Sequence, residues 1–140
     1  MDRFAEFKVG AIVFCREMFQ SPVTGEISLV GCFSVLRARA FPHIQPKMAV
    51  YVAIEGNLSH SVLTLHVISP HGDATLIGEM ELEGVSMIEG TMGSHLNNLP
   101  FPEEGVYYFQ VRRGGKMMQE RIMNVVREAP SYGEGNPRLD

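Results

Sequence analysis

The chain has 140 residues, 45% apolar and 20% charged, which is enough for one domain with a sizeable core and too apolar for a disordered segment. With 12 basic and 16 acidic side chains its formal charge is -4, so no global field draws it to nucleic acid or anionic lipid, and the one basic cluster, Arg112, Arg113 and Lys116, straddles a predicted turn. Asp2 and Arg3 follow Met1 with no apolar run behind them, and nowhere do about 18 apolar residues run together, so neither a secretory leader nor a membrane span is expected and the location expected is cytoplasmic.

Period two dominates the pattern in chain order. Phe7, Val9, Ala11, Val13 and Cys15 form one apolar face of a first strand. The stretch FQSPVTGE after Met18 reads as a hairpin loop, and EISLVGCFSVLRA as the strand that follows it. In KMAVYVAIEG, Met48, Val50, Val52 and Ile54 alternate with Ala49, Tyr51 and Ala53; both sides are fairly apolar, which places this strand centrally. Leu63, Leu65 and Val67 define the next strand, and Pro70, His71, Gly72 and Asp73 supply a turn. The return strand points Ala74, Leu76, Gly78, Met80 and Leu82 inward and Thr75, Glu79, Glu81 and Glu83 to water, with Ile77 breaking the alternation. Residues 84–105 are split by Gly84, Gly90 and Gly93, and only a brief strand near Ser94 to Leu96 is expected there. The final hairpin carries Tyr107, Phe109 and Val111, turns at Gly114 and Gly115, and returns over Lys116 to Arg127. The expected domain is 1–128, with 129–140 a flexible tail rich in Pro, Gly and charge.

With no helical period, the expected fold is all-β, an antiparallel β-sandwich of seven to eight strands. LPFPEEGVYYFQV resembles the loop and strand of immunoglobulin-like and fibronectin-type sandwiches that carry a tyrosine bonded back to the preceding loop. That resemblance matches Tyr107 to the tyrosine. The chain has no Trp, and its two Cys lie too close in sequence for an inter-sheet pair, so only the architecture carries over. GEISLVGCFSVLRARAFP, KMAVYVAIEG and LPFPEEGVYYFQVRRGG, in that order, resemble a family of small single-domain bacterial and phage-associated proteins of unknown function. The likeness runs from about Phe7 to Val126 and implies a fold, with no catalytic residues.

The candidates for chemistry are few. Zinc needs its ligating nitrogens about 2 Å from one point. His60 and His66 in extended chain would lie roughly 20 Å apart at about 3.3 Å per residue. His71 and Asp73 alone would make an exposed, weak site. Ser94 and His95 are adjacent, so on an extended chain they point to opposite faces and cannot act as nucleophile and base. Glu79, Glu81 and Glu83 form a solvated row that discourages edge pairing, Glu103 and Glu104 fall in a loop, and the glycines form no phosphate-binding motif. Met48 and Met80 fit core faces; Met87, Met92, Met117 and Met118 suit core or interface alike. Face matching puts Cys15 inside and Cys32 on the other side of the sheet, so a bond between them would need a bulge, and two reduced thiols are expected. No catalytic, cofactor-binding or metal-ligating residue is assigned.

Two functions remain from this reading. The first is a non-enzymatic binding or scaffold module, meeting a protein partner or a second copy of itself through residues 84–102 and the end loops, with no nucleic acid and no membrane. The alternative is a small metal-assisted hydrolase using some of His43, His66, His71 and His95; a phage structural or accessory role makes no separate sequence prediction.

Overall fold

The structure is a computed structural model and describes residues 8–57, 61–82 and 86–129. Phe7, His60, Glu83, Gly84 and the tail from residue 130 lie outside the described residues. The described chain forms ten strands: β1 (Lys8–Cys15), β2 (Glu17–Gln20), β3 (Ile27–Val30), β4 (Val35–Ala38), β5 (His43–Asn57), β6 (Ser61–Ile68), β7 (Ala74–Leu82), β8 (Ser86–Phe101), β9 (Gly105–Arg113) and β10 (Lys116–Arg127). A three-stranded sheet, β1-β5-β8, packs on a five-stranded sheet, β4-β10-β9-β6-β7, while β2 and β3 form a hairpin of their own. The fold is an all-β, immunoglobulin-like sandwich.

The inner faces meet through Phe14, Val50, Val52 and Ile54 on one side and Leu63, Leu65, Phe109, Val111 and Met123 on the other. As the alternation predicts, β5 lies centrally in its sheet, with Met48, Val50, Val52 and Ile54 all buried. Tyr107, Phe109 and Val111 are likewise buried on β9. Gly114 (φ 55) and Gly115 (φ 86) make the turn into β10, both in the left-handed conformation that such a tight hairpin requires.

Five features differ from the sequence reading. The described residues form ten strands, not seven or eight, because the first segment breaks at Arg16 into β1 and β2 and the segment after the first hairpin loop breaks at Gly31 (φ 69) into β3 and β4. The sandwich is also not wholly antiparallel: β4 crosses to the other sheet and pairs parallel with β10, Val35 to Asn124 through Ala38 to Arg127.

In β1 the register shifts between Val9, opposite Ile54, and Ile12, opposite Val52. Gly10 and Ala11 together face one residue, so the inward set changes from odd to even: Val9, Ile12 and Phe14 are buried in the core and Ala11 is exposed. The side chains of β10 take up the carbonyls left there. Gln119 Nε2 donates to Gly10 O at 3.1 Å, and Arg121 donates to Ile12 O at 2.7 Å while its guanidinium lies 4.9 Å from the Phe14 ring centroid.

In β7 a second shift falls at Ile77, between Gly78 opposite Leu65 and Leu76 opposite His66. It turns Leu76 outward, where it is 54% exposed, and brings Thr75 to the inner side. Finally, β8 runs from Ser86 to Phe101 against β5, in place of the irregular segment expected there. Gly93 serves close packing: a Cβ there would overlap Met18 Cε, so the β2–β3 hairpin rests on this strand.

Candidate functional site

The described imidazoles occupy four separate surroundings. His43 opens β5, stacked on Phe101 with ring centroids 6.5 Å apart and its Nε2 2.9 Å from Gln45 Oε1. His66 lies on the outer side of β6 between Leu76 and Gln110, His71 sits in the β6–β7 turn, and His95 is exposed on β8 opposite Ala49. Among the described residues no three of His, Cys, Asp and Glu come together as a metal site would require. Ser94 and His95 do alternate: Ser94 Oγ occupies the space beside Gly78, on the β7 side, while His95 is turned to solvent.

His66 has a measurable signature. Its Nδ1 is buried with no hydrogen-bond partner among the described residues, and burial, then the Arg112 guanidinium, lowers its pKa below the ordinary value of 6.5. The folded protein thus favours neutral His66 and the unfolded chain binds its proton more readily. The contribution is fully present above pH 6.5 and is lost as pH falls through the folded-state pKa. Thermal midpoints recorded from pH 8 down to pH 5 should fall less in His66→Gln than in the wild type; parallel curves would remove His66 from the acid response.

Two concentrations of features stand out. The first is a cavity of about 440 Å³ at one end of the sandwich, walled by Pro42, Val67, Thr75, Pro100, Pro102 and Tyr107. The His71 and Glu103 side chains meet over it, Nε2 to Oε2 at 2.7 Å, a pair drawn from two loops far apart in sequence. The Tyr107 hydroxyl donates to Glu103 O at 2.6 Å, and burial, the largest influence on it, raises its pKa. The Ser69 hydroxyl accepts from the backbone N–H groups of His71 and Asp73 at 3.3 and 3.1 Å. These polar groups hold the loops to one another, and the wall between them is apolar. Glu104 is not part of this arrangement; it lies 3.8 Å from Arg127.

The second is the outer face of the five-stranded sheet. Because Leu65, Phe109 and Met123 point into the core, their neighbours along the strands point out. The register then sets Ala74, Ile68, Tyr108 and Ile122 side by side across β7, β6, β9 and β10. Leu76 (54% exposed), Ile122 (47%) and Val106 (37%) extend this apolar band. Beside it runs a polar row in which Gln110 Nε2 donates to Glu120 Oε2 at 2.7 Å and Arg112 donates to Gln110 Oε1 at 2.6 Å. An apolar strip edged by a fixed polar row has the anatomy of a recognition surface. Sequence reasoning missed it because the bulge that turns Leu76 outward shows in the sequence only as the irregular Ile77.

The Tyr107 bond is the corner of immunoglobulin-like sandwiches, where a tyrosine at the start of a strand ties down the preceding connection. Over residues 10–126 the sequence matches the model of a family of unknown function, DUF6941, and the chain belongs to that family. No curated protein matches it by sequence. Among solved structures, it is similar to the Pseudomonas fluorescens alkylpurine DNA glycosylase AlkC bound to DNA containing an abasic site analog, at 9% identity and a TM-score of 0.52. That likeness covers 87% of this chain and 31% of the other, so the chain spans about a third of the glycosylase's length, and it concerns the fold alone. An immunoglobulin-like protein from Pseudomonas aeruginosa matches at 17% identity and a TM-score of 0.41, covering 86% of this chain and 97% of that one. No helix among the described residues is long and apolar enough to cross a membrane.

Proposed function

We propose that this domain is a non-enzymatic binding module that meets a protein partner across the outer face of its five-stranded sheet. The observation that carries the reading is the apolar row Ala74, Ile68, Tyr108 and Ile122, flanked by exposed Leu76 and Val106 and set beside the Arg112–Gln110–Glu120 chain of hydrogen bonds. Covering this strip would remove apolar area from water while the polar row fixes register. The edge of the same sheet is a poorer docking route, because β7 carries exposed Glu79 and Glu81 that disfavour addition of another strand.

Ile122→Glu tests the reading, since the side chain is half exposed and its loss should leave the thermal midpoint close to that of the wild type. Wild-type protein should retain a partner through affinity purification from its native cell, or form a dimer by light scattering if the partner is a second copy. The glutamate should weaken either association by about tenfold or more. A variant that retains the same partners to the same extent would move recognition away from this face. A monomeric wild type that retains nothing would remove the proposal.

A further inference from the structure

We propose that Cys15 and Cys32 are a cross-strand dithiol, built to close into a disulfide that fastens the base of the β2–β3 hairpin to β1. The register carries the inference and does not depend on the proposed function. In the hairpin Glu17 pairs with Val30 and Gln20 with Ile27, and beyond its base Phe14 bridges Phe33 in the same antiparallel register. Between those pairs the register leaves Cys15 opposite Cys32.

The hydrogen bonds define which kind of pair this is. Phe33 N–H donates to Phe14 O at 2.9 Å, and the Arg16 N–H is shared between Val30 O at 3.0 Å and Gly31 O at 3.2 Å, so the backbone groups of residues 14 and 16 face this ladder. Those of Cys15 therefore face β5, where Cys15 lies opposite Ala49. Cys15 and Cys32 are thus a non-hydrogen-bonded pair, the arrangement that brings opposite Cα atoms to about 4.5 Å. That separation falls within the window of about 4.4 to 6.8 Å that disulfides span. Phe14 and Phe33 share the core face, their ring centroids 6.2 Å apart, so the cysteines next to them along each segment share the other. The bulge at Gly10 and Ala11 is what brings this about: without it the inward set of β1 would stay odd and the thiols would lie on opposite faces.

The two thiols are unequal. Cys15 is fully buried, with its Sγ 3.8 Å from Ala49 O, whereas Cys32 is exposed. Burial first and Cys32 second raise the pKa of Cys15, which keeps it protonated until a partner sulfur is presented. The order of chemistry follows. The Cys32 thiolate attacks a sulfur of a low-molecular-weight disulfide such as oxidised glutathione, and one glutathione thiolate leaves. Cys15 then gives up its proton and attacks Cys32 Sγ, the mixed S–S bond breaks, and the second glutathione leaves. Two electrons pass from the cysteines to the glutathione disulfide, and the two cysteine protons end on the two released thiols.

The test equilibrates the full chain in mixtures of reduced and oxidised glutathione, quenches with acid and reads intact mass and linked peptides. The expected product is an intramolecular Cys15–Cys32 bond, lighter than the reduced chain by two hydrogen atoms. It should persist at glutathione ratios roughly tenfold to a hundredfold more reducing in native protein than in urea-unfolded protein. In Cys15→Ser the reaction should stop at a glutathione adduct on Cys32. Accumulation of that adduct in wild-type protein, disulfide-linked dimers, or equal crosslinking of native and unfolded chains would each overturn the proposal.

Discussion

Phe14→Ala is expected to lower the stability of the domain by about 3–5 kcal/mol, the range for emptying a buried aromatic site. Phe14 is fully buried where the sheets meet β10: its ring packs edge-on to Phe109 with centroids 4.8 Å apart, lies 6.2 Å from Phe33 and carries the Arg121 guanidinium on its face. Alanine leaves a cavity and also strips the apolar support from a half-buried cation whose hydrogen bond closes the β1 bulge. Phe14→Leu keeps most of the volume but loses the ring face, and should cost clearly less. Urea denaturation with unchanged slope measures both. A loss below about 1 kcal/mol for the alanine variant would show that Phe14 does not join the two sheets in the way described.

Tyr107→Phe removes a single oxygen and is expected to cost about 1–3 kcal/mol, because the hydroxyl donates to Glu103 O at 2.6 Å and also lies 3.3 Å from the Glu103 N–H. The phenyl ring would keep its edge contact with Phe101, so the core stays filled and the loss reports the corner alone. The variant should also loosen the loop that carries Glu103, and with it the His71 pair across the cavity. Amide exchange should therefore quicken at residues 103–105 and 71–73 together. Acceleration in only one of the loops would separate the two.

Much of this architecture is legible in alternation. Met48 to Ile54, Leu63 to Val67 and Tyr107 to Val111 each read correctly, because each strand keeps one register along its buried run. The errors fall where a register slips. Ala11 lies in one bulge and Leu76 beside another, and a period-two pattern carried through a bulge assigns the residues on its far side to the wrong face. Ile77 broke the pattern visibly; in β1 only Gly10 hinted at it. The parallel pairing of β4 with β10 leaves no mark on either segment, since pairing partners far apart in sequence share no local signal. For the same reason the His71–Glu103 pair could not be read, although both residues drew notice separately. The long β8 escaped because its glycines read as interruptions, whereas Gly93 makes room for Met18.

The position of β10 between β4 and β9 also bears on how the chain matures as it leaves the ribosome. The β6–β7 and β6–β9 pairings of the larger sheet join strands made earlier, but β4 finds its partner only when residues 124–127 emerge, nearly ninety positions later. During elongation β4 must wait with its hydrogen-bonding groups unmet, and β9 with one side bare. Assembly is therefore gated by the last strand, and the nascent chain is most exposed to wrong strand partners just before synthesis of that strand is complete.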